Sequence, residues 1–328
     1  MTGQTPGDML GNTPGDMPGN TPGDMPGNTP RAMPGNTPGE TPRHMSGHAP
    51  GHPTGDVFGD RPGRRSGHSA LLPVATRAVE IAREIVLSRA PRSVRAKGDR
   101  DMVTDIDLAV EDAVRAFLAA ETPELAMLGE EHGRTGAAGD SAWWVLDPVD
   151  GTANLARGIP LCGVSLALVE DGRPVVGAID LPFLGARYTA AAGRGAYAGE
   201  ERIGTSATTG LPEAMISIGD FAVGPDAEPD NRVRLALLGL LGRRAQRIRM
   251  LGSAAIDLAW VAQGRLDATV ILSNLPWDTM AGALLVREAG GLVLDRDGTE
   301  HTTASAATIA LCPGLRDELM TALHQAGA

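Results

Sequence analysis

A layered α+β fold is what the sequence predicts for residues 70–328, and three features predict it. Strand-like stretches come in runs, helix-like stretches come in pairs, and no regular strand–helix alternation joins them. Residues 1–69 differ sharply from this. They repeat with a period of eight: GNTPGDMP at 11–18 and 19–26, then GNTPRAMP and GNTPGETP, after a degenerate GQTPGDML at 3–10. Their apolar content is too low to offset chain entropy, and eight residues are too few for a stacked helical repeat. The expectation is a disordered Gly/Pro-rich tail. His44, His48 and His52 fall four apart within it. Pro50 and the neighbouring glycines argue against the helix that would align them on a metal.

The globular part opens with SALLPVATRAVEIAREIVLSRA, a helix from about Pro73 with Val74, Arg77/Ala78, Ile81, Ile85 and Leu87 on its stripe. A second helix is expected over 104–120, with Ile106, Val110, Val114 and Phe117 on one face. LAMLGEE reads as a short strand running into acids, and WWVLDPVDGT as a strand and turn. GVSLALVEDGRPVVGAID reads as a hairpin turning at EDGR. Further strands are expected in ARYTAAAGRGAY, EAMISIGD, QRIRM, DATVIL and LVLD. Helices are expected near 231–241 and 253–263, in WDTMAGALLVREAGG with a glycine C-cap, and near 313–324.

Bulk properties exclude several classes. Net charge is −11, which disfavours nonspecific contact with nucleic acid or an anionic membrane. Four arginines in RRAQRIR (243–249) read as a solvated strand edge. Trp143, Trp144, Trp260 and Trp277 read as core. Cys162 and Cys312 cannot make a disulfide framework or a structural zinc site. No run of about 18 apolar residues is present, and no secretory signal is visible. A cytoplasmic protein is expected.

Four acidic clusters carry the chemistry. In DPVDGT, Pro148 biases Asp147 to an extended conformation and forces a turn, so Asp147 and Asp150 can point into one space. Gly151 permits close backbone approach, and the helix that TANLA can open would present free N–H groups to an anion. Two carboxylates and the Val149 carbonyl are hard oxygen donors of the kind Mg²⁺ prefers. An ordinary Asp-Gly turn explains this cluster equally well on its own. GEEHG supplies Glu130 and Glu131, otherwise solvent-facing charge. KGDRDMVTDID supplies Lys97, Asp101, Thr104 and Asp107, where a helix dipole alone favours acids. PWDTMAGALLVREAGG supplies Asp278, which N-capping would explain.

Together and in this order, these motifs resemble the inositol monophosphatase family of Mg²⁺-dependent, lithium-sensitive sugar phosphatases. AAGRGAY (191–197) and GSAAIDLAWVAQGRLDA (252–268) extend the likeness across 70–328. The resemblance implies an α-β-α-β-α sandwich and a homodimer. It implies that Glu130, Asp147 and the Val149 carbonyl hold one Mg²⁺, and that Asp147, Asp150 and Asp278 hold a second. Thr152 and Asp107 match the pair that orients the attacking water, with Glu130 and Lys97 as further catalytic positions. Gly151 and Thr152 N–H groups would cradle the phosphate. Lys97 is the only lysine in the chain.

At the substrate end the match weakens. Inositol-specific members carry a glutamate seven residues before the WD aspartate, where this chain has Ile271, and Leu275 replaces an often polar residue. An apolar side chain cannot pair with a buried hydroxyl. Ser253, Ala254 and Asp220 are the expected substrate contacts. Inositol 1-phosphate or a related polyol phosphate is the first substrate expectation, and the amino alcohol L-histidinol phosphate the second. A 3′-phosphoadenosine nucleotide is the third, disfavoured by Ala153 after DGT. A partner-binding protein on the same fold would need a broken acidic cluster, and no ligand position is missing.

Overall fold

A computed structural model describes residues 67, 69–98, 101–136 and 142–328. The repeat tail read as disordered, with His44, His48 and His52, lies outside the described residues.

Helix α1 (Leu72–Ser88) leads into a hairpin of β1 (Val94–Gly98) and β2 (Asp101–Thr104), then α2 (Asp105–Glu121). Next come β3 (Ala126–Gly129), β4 (Gly133–Thr135), β5 (Ala142–Asp150), the short α3 (Thr152–Ala156), β6 (Gly163–Glu170), β7 (Arg173–Leu181), β8 (Ala186–Ala191), β9 (Ala196–Ala198) and β10 (Glu201–Ile203). These strands make one eight-stranded sheet, ordered β10-β9-β8-β7-β6-β5-β3-β4, in which only β3 and β5 pair in parallel. The rest of the chain gives β11 (Met215–Ile218), α4 (Ala227–Arg244), β12 (Arg247–Arg249), α5 (Ala254–Ala262), β13 (Ala268–Ile271), α6 (Pro276–Glu288), β14 (Leu292–Leu294), β15 (Thr308–Leu311) and α7 (Arg316–Ala326). Its five strands form a second sheet, ordered β12-β11-β13-β15-β14.

Three apolar clusters stack these elements into the expected α-β-α-β-α sandwich. Ala75, Ala78, Val110 and Val114 of α1 and α2 meet Trp144, Leu146, Leu166 and Leu168 on the outer face of the large sheet. On its inner face Val145, Ala167 and Ile179 meet α5 and α6. Leu237 and Leu241 of α4 join Leu319 and Leu323 of α7 on the far side of the small sheet. The long strands are apolar at nearly every position because both faces are covered. Helix α6 is buried continuously from Thr279 to Val286, which suits a helix held between two sheets. The hairpin turns at Asp171 and Gly172, both with positive φ, matching the right-handed strand twist.

Two features depart from expectation. The buried stripe of α1 is Ala75, Ala78, Val79, Ala82 and Val86, one residue round from the predicted one, and Leu87 is exposed. Alanine's small volume lets the helix lie close to its neighbours, so close approach overrides side-chain bulk in choosing the face. The β1–β2 hairpin was not expected, since VRAKG is exposed throughout and shows no alternation.

At the α5–α6 crossing a Cβ on Gly282 would overlap Leu258 Cβ, Cγ and Cδ1. Gly242, exposed on α4, has open space around it. In urea denaturation Gly282→Ala should therefore lose about 1–3 kcal/mol. Gly242→Ala should instead gain about 0.5–1 kcal/mol from helix propensity.

Candidate active site

Residues three apart on a regular strand face opposite ways. Along β5 the pairing advances from Asp147 to Asp150 while on β6 it moves only from Ser165 to Gly163, so one extra residue is bulged out. That bulge restores the parity and returns both aspartates to the inner face. It also accommodates Pro148, which has no N–H for the ladder. Gly151 follows with φ +89° and caps α3. A Cβ there would stand 2.8 Å from the Leu161 carbonyl oxygen.

Asp150 is held by the N-terminus of α5. Ser253 Oγ donates to Asp150 Oδ2 at 2.7 Å and the Ala255 N–H donates at 2.5 Å. Burial nevertheless pushes the Asp150 pKa up to about 6, with Glu130 adding to it, against the pull of Ser253, Ala255 and Ala254. Asp147, 2% exposed, is raised well above the usual carboxylate range by burial, then by Glu130, Asp150 and Asp278. Asp278 in the first turn of α6 is raised by burial, Asp150 and Glu130, and is relieved by Asp147 and Lys97. The structure thus brings Glu130, Asp147, Asp150 and Asp278 into one mutually repelling cluster. Among the described residues no group of three or more His, Cys, Asp or Glu side chains is closed around an ion position. Glu130 instead engages Lys97, whose Nζ lies 2.7 Å from Glu130 Oε1 and 2.8 Å from Glu131 Oε1. Burial opposes the Lys97 charge, but the two glutamates outweigh it and raise its pKa.

Beside this cluster Thr152 Oγ1 lies 2.8 Å from both Asp107 Oδ1 and the Val149 carbonyl oxygen. Asp107 is fully buried at N3 of α2, where it accepts the Thr104 N–H at 3.0 Å and the Thr104 hydroxyl. Thr104 in turn caps the helix, accepting the Ile106 N–H at 3.1 Å. The capping box that explains an acid here also aims Asp107 at Thr152.

Ser253 and Ala254, expected at the substrate, are placed on the Asp150 carboxylate. Asp220 is exposed, its carbonyl oxygen accepting from Arg234 at 3.1 Å. Ile271 is 6% exposed within the central core, and Leu275 stands 46% exposed just before α6.

Three supporting residues escaped the sequence reading. Glu111 accepts the Glu131 N–H at 2.8 Å and the His132 N–H at 3.0 Å, fixing the loop that carries Glu130. A Cβ on Gly129 would overlap the Glu111 carboxylate, which is why GEE begins with glycine. Asn154 donates to the Leu161 and Leu251 carbonyls at 2.7 and 2.9 Å, joining α3 to the segments before β6 and α5. Asn274 anchors the start of α6: its Nδ2 donates to Thr302 and Ser305 carbonyls at 3.0 Å, and Thr279 Oγ1 donates to its Oδ1 at 2.7 Å. Only the spacing of Glu111, four after Asp107 on one helix face, was a sequence signal.

The pattern of the inositol monophosphatase family matches residues 68–327. The chain belongs to the inositol monophosphatase family. It is 40% identical over 260 residues to a probable inositol 1-monophosphatase, ImpA, of Mycobacterium tuberculosis, covering 79% of this chain and 93% of that one. It is 37% identical to the Nus factor SuhB of Pseudomonas aeruginosa over 70% of this chain and 87% of the relative. The solved inositol monophosphatase from Anabaena superposes with a TM-score of 0.71 at 32% identity, covering 79% and 97% of the two chains. The protein is accordingly an enzyme, a phosphoric monoester hydrolase of that family. Among the described residues no helix is long and apolar enough to cross a membrane.

The anchor of α6 has a pH signature. His301 is fully buried, its Nε2 2.9 Å from Thr308 Oγ1 and 3.1 Å from Asn274 Oδ1. Burial, then Arg287, lowers its pKa from 6.5 to about 4. The unfolded chain therefore binds the proton first, and this contribution is lost as pH falls from about 6.5 towards about 4. The loss has an upper bound of about 3 kcal/mol. Urea denaturation between pH 7 and pH 5 should show a shallower acid-side decline for His301→Gln than for the wild type.

Proposed function

We propose that this enzyme is a Mg²⁺-dependent phosphomonoesterase acting on inositol 1-phosphate or a related small polyol phosphate. The observation that carries the reading is the convergence of Glu130, Asp147, Asp150 and Asp278 from four separate segments. A donor set made only of carboxylates and a backbone carbonyl, with Asp147, Val149 and Asp150 buried, fits a hard divalent cation, because the cation relieves the mutual repulsion of the acids. Glu130, Asp147, the Val149 carbonyl, Asp150 and Asp278 are the residues that would hold it. Bound there, magnesium supplies Lewis-acid stabilisation of developing charge on the phosphoryl and leaving oxygens and makes water a better nucleophile.

The chain's own residues do the positioning. Thr152 has one hydroxyl hydrogen to give, and the nearby Asp107 carboxylate can take it. Its oxygen then accepts a hydrogen from the attacking water and aims the water at phosphorus. Asp107, fixed by Thr104, is the proton acceptor behind Thr152. The N–H groups of Gly151 and Thr152 receive phosphate oxygens, and Lys97 balances the charge of Glu130 beside the dianion. Ile271 is packed in the core and offers a ring hydroxyl nothing. Asp220 supplies a carboxylate one strand over, since Ile218 pairs with Val270 and Gly219 lies against Ile271. Lithium inhibition and a homodimer belong to the same reading.

Phosphate release with Mg²⁺ should be fastest on inositol 1-phosphate or another polyol phosphate. Histidinol phosphate, fructose 1,6-bisphosphate and adenosine 3′,5′-bisphosphate complete the panel, and a chelator should stop turnover. Equal silence on every substrate would remove the proposal. Asp147→Asn should lower kcat by about a thousandfold or more, a loss of at least ~4 kcal/mol of transition-state stabilisation, while its circular dichroism stays that of the wild type. The catalytic domain is proposed to be 70–328. Deleting 1–69 should leave kcat and KM within about twofold in the same assay, a shift below ~0.5 kcal/mol.

A further inference from the structure

The first turn of α6 carries Asp278, yet its cap position supplies no side-chain bond. That position is Leu275, and Pro276 follows it. A leucine there forgoes the capping bond that Ser, Thr, Asp or Asn would give. Asp278 meanwhile belongs to the acidic cluster, where Asp150 and Glu130 repel it.

Two attachments outside the cap hold the turn. On one side Ser165 Oγ of β6 donates to the Trp277 carbonyl at 3.1 Å. On the other, Asn274 uses every polar atom of its amide. Nδ2 gives its two hydrogens to the Thr302 and Ser305 carbonyls, which fixes the amide orientation, and Oδ1 accepts from Thr279 Oγ1 within the turn. Behind it stands His301, whose Nε2 faces the same oxygen at 3.1 Å. A carbonyl oxygen has no hydrogen to give, so Nε2 carries the imidazole proton and donates to Asn274. Nδ1 has no hydrogen-bond partner among the described residues. A second proton there would be a buried donor without an acceptor, so the ring is neutral with its one N–H aimed at Asn274. Arg287, in the last turn of α6, donates to the His301 carbonyl, so segment 301–305 is fastened to α6 from both ends of the helix. Thr279, His301 and Thr308 are fully buried, which keeps water from replacing these bonds.

Repulsion from Asp150 and Glu130 acts on the end of a helix, and helix ends yield by fraying. An anchored turn presents Asp278 already in place, so less ordering remains to be done when a cation binds. We propose that Asn274 is a positioning residue for the divalent cation of the acidic cluster, with the N–H of His301 holding its amide. The proposal rests on the magnesium reading above, and Asn274 acts through Asp278 without touching substrate or cation.

Isothermal titration calorimetry of the chelator-treated full chain with Mg²⁺, run beside turnover, tests this. Asn274→Ala should raise the Mg²⁺ dissociation constant about tenfold, as removal of a group that orients a metal ligand does. Its kcat at saturating Mg²⁺ should stay within about threefold of the wild type. His301→Leu should weaken binding in the same direction. His301→Gln, which keeps an N–H at the Nε2 position, should bring it back to within about twofold of the wild type. Leu323→Ala, in the core on the far side of the small sheet, lowers stability by truncation and should leave Mg²⁺ binding unchanged. An unchanged dissociation constant in Asn274→Ala overturns the proposal. So does equal weakening in Leu323→Ala, or in His301→Gln and His301→Leu alike. Should Asn274→Ala not fold, the two His301 variants decide alone. A wild type that binds no Mg²⁺ removes the magnesium reading and this proposal with it, whereas a binding wild type with an indifferent Asn274→Ala removes only the positioning role.

Discussion

Carboxylates taken out of water have their pKa raised, as Asp147, Asp150 and Asp278 show here, with the charge of Glu130 in the same space adding to all three. A chain that forces such groups together must hold each against the repulsion of the rest. Each is fastened by a different device: a bulge in β5 for Asp147, the start of α5 for Asp150, a loop tied to Glu111 for Glu130, and an asparagine-anchored helix for Asp278. The sandwich can be seen as the frame that keeps these four fastenings in register.

The two inner helices serve this purpose in a second way. Helices α5 and α6 are apolar almost all round and fill the space between the sheets, so neither is free to shift. Their N-termini both face the acidic cluster, where free N–H groups and the helix dipole favour negative charge. The close crossing at Gly282 fixes the distance between them. Packing in the dry core is thereby converted into placement of charge at the rim.

Much of this was legible in the sequence. The layered α+β class, the hairpin at Asp171-Gly172 and the apolar helix after Asp278 follow from periodicity and turn residues that point the same way as the tertiary structure. What stayed hidden depends on partners distant in the chain. DPVD reads as a turn, but whether Pro148 ends the strand or sits in a bulge is decided by its register with β6. Ser253 and Ala254 carry no mark showing that they face Asp150, more than a hundred positions earlier. Glu111 looks like any helical acid until Gly129 is seen to make room for it. The face of α1 was misplaced because alanine is a weak hydrophobic signal and a strong packing one.

The sheet margins have a consequence for the protein in crowded solution. The small sheet ends at β12, where Arg247 and Arg249 are exposed, and the large sheet ends at β10 with Glu201 and Arg202 and at β4 with Arg134. Unpaired backbone on a margin invites a strand from another molecule, and bulky charged side chains on very short strands repel that approach. Arg247 and Arg249 therefore act as a guard against runaway strand addition between copies, a task unrelated to catalysis and performed wherever the chain accumulates.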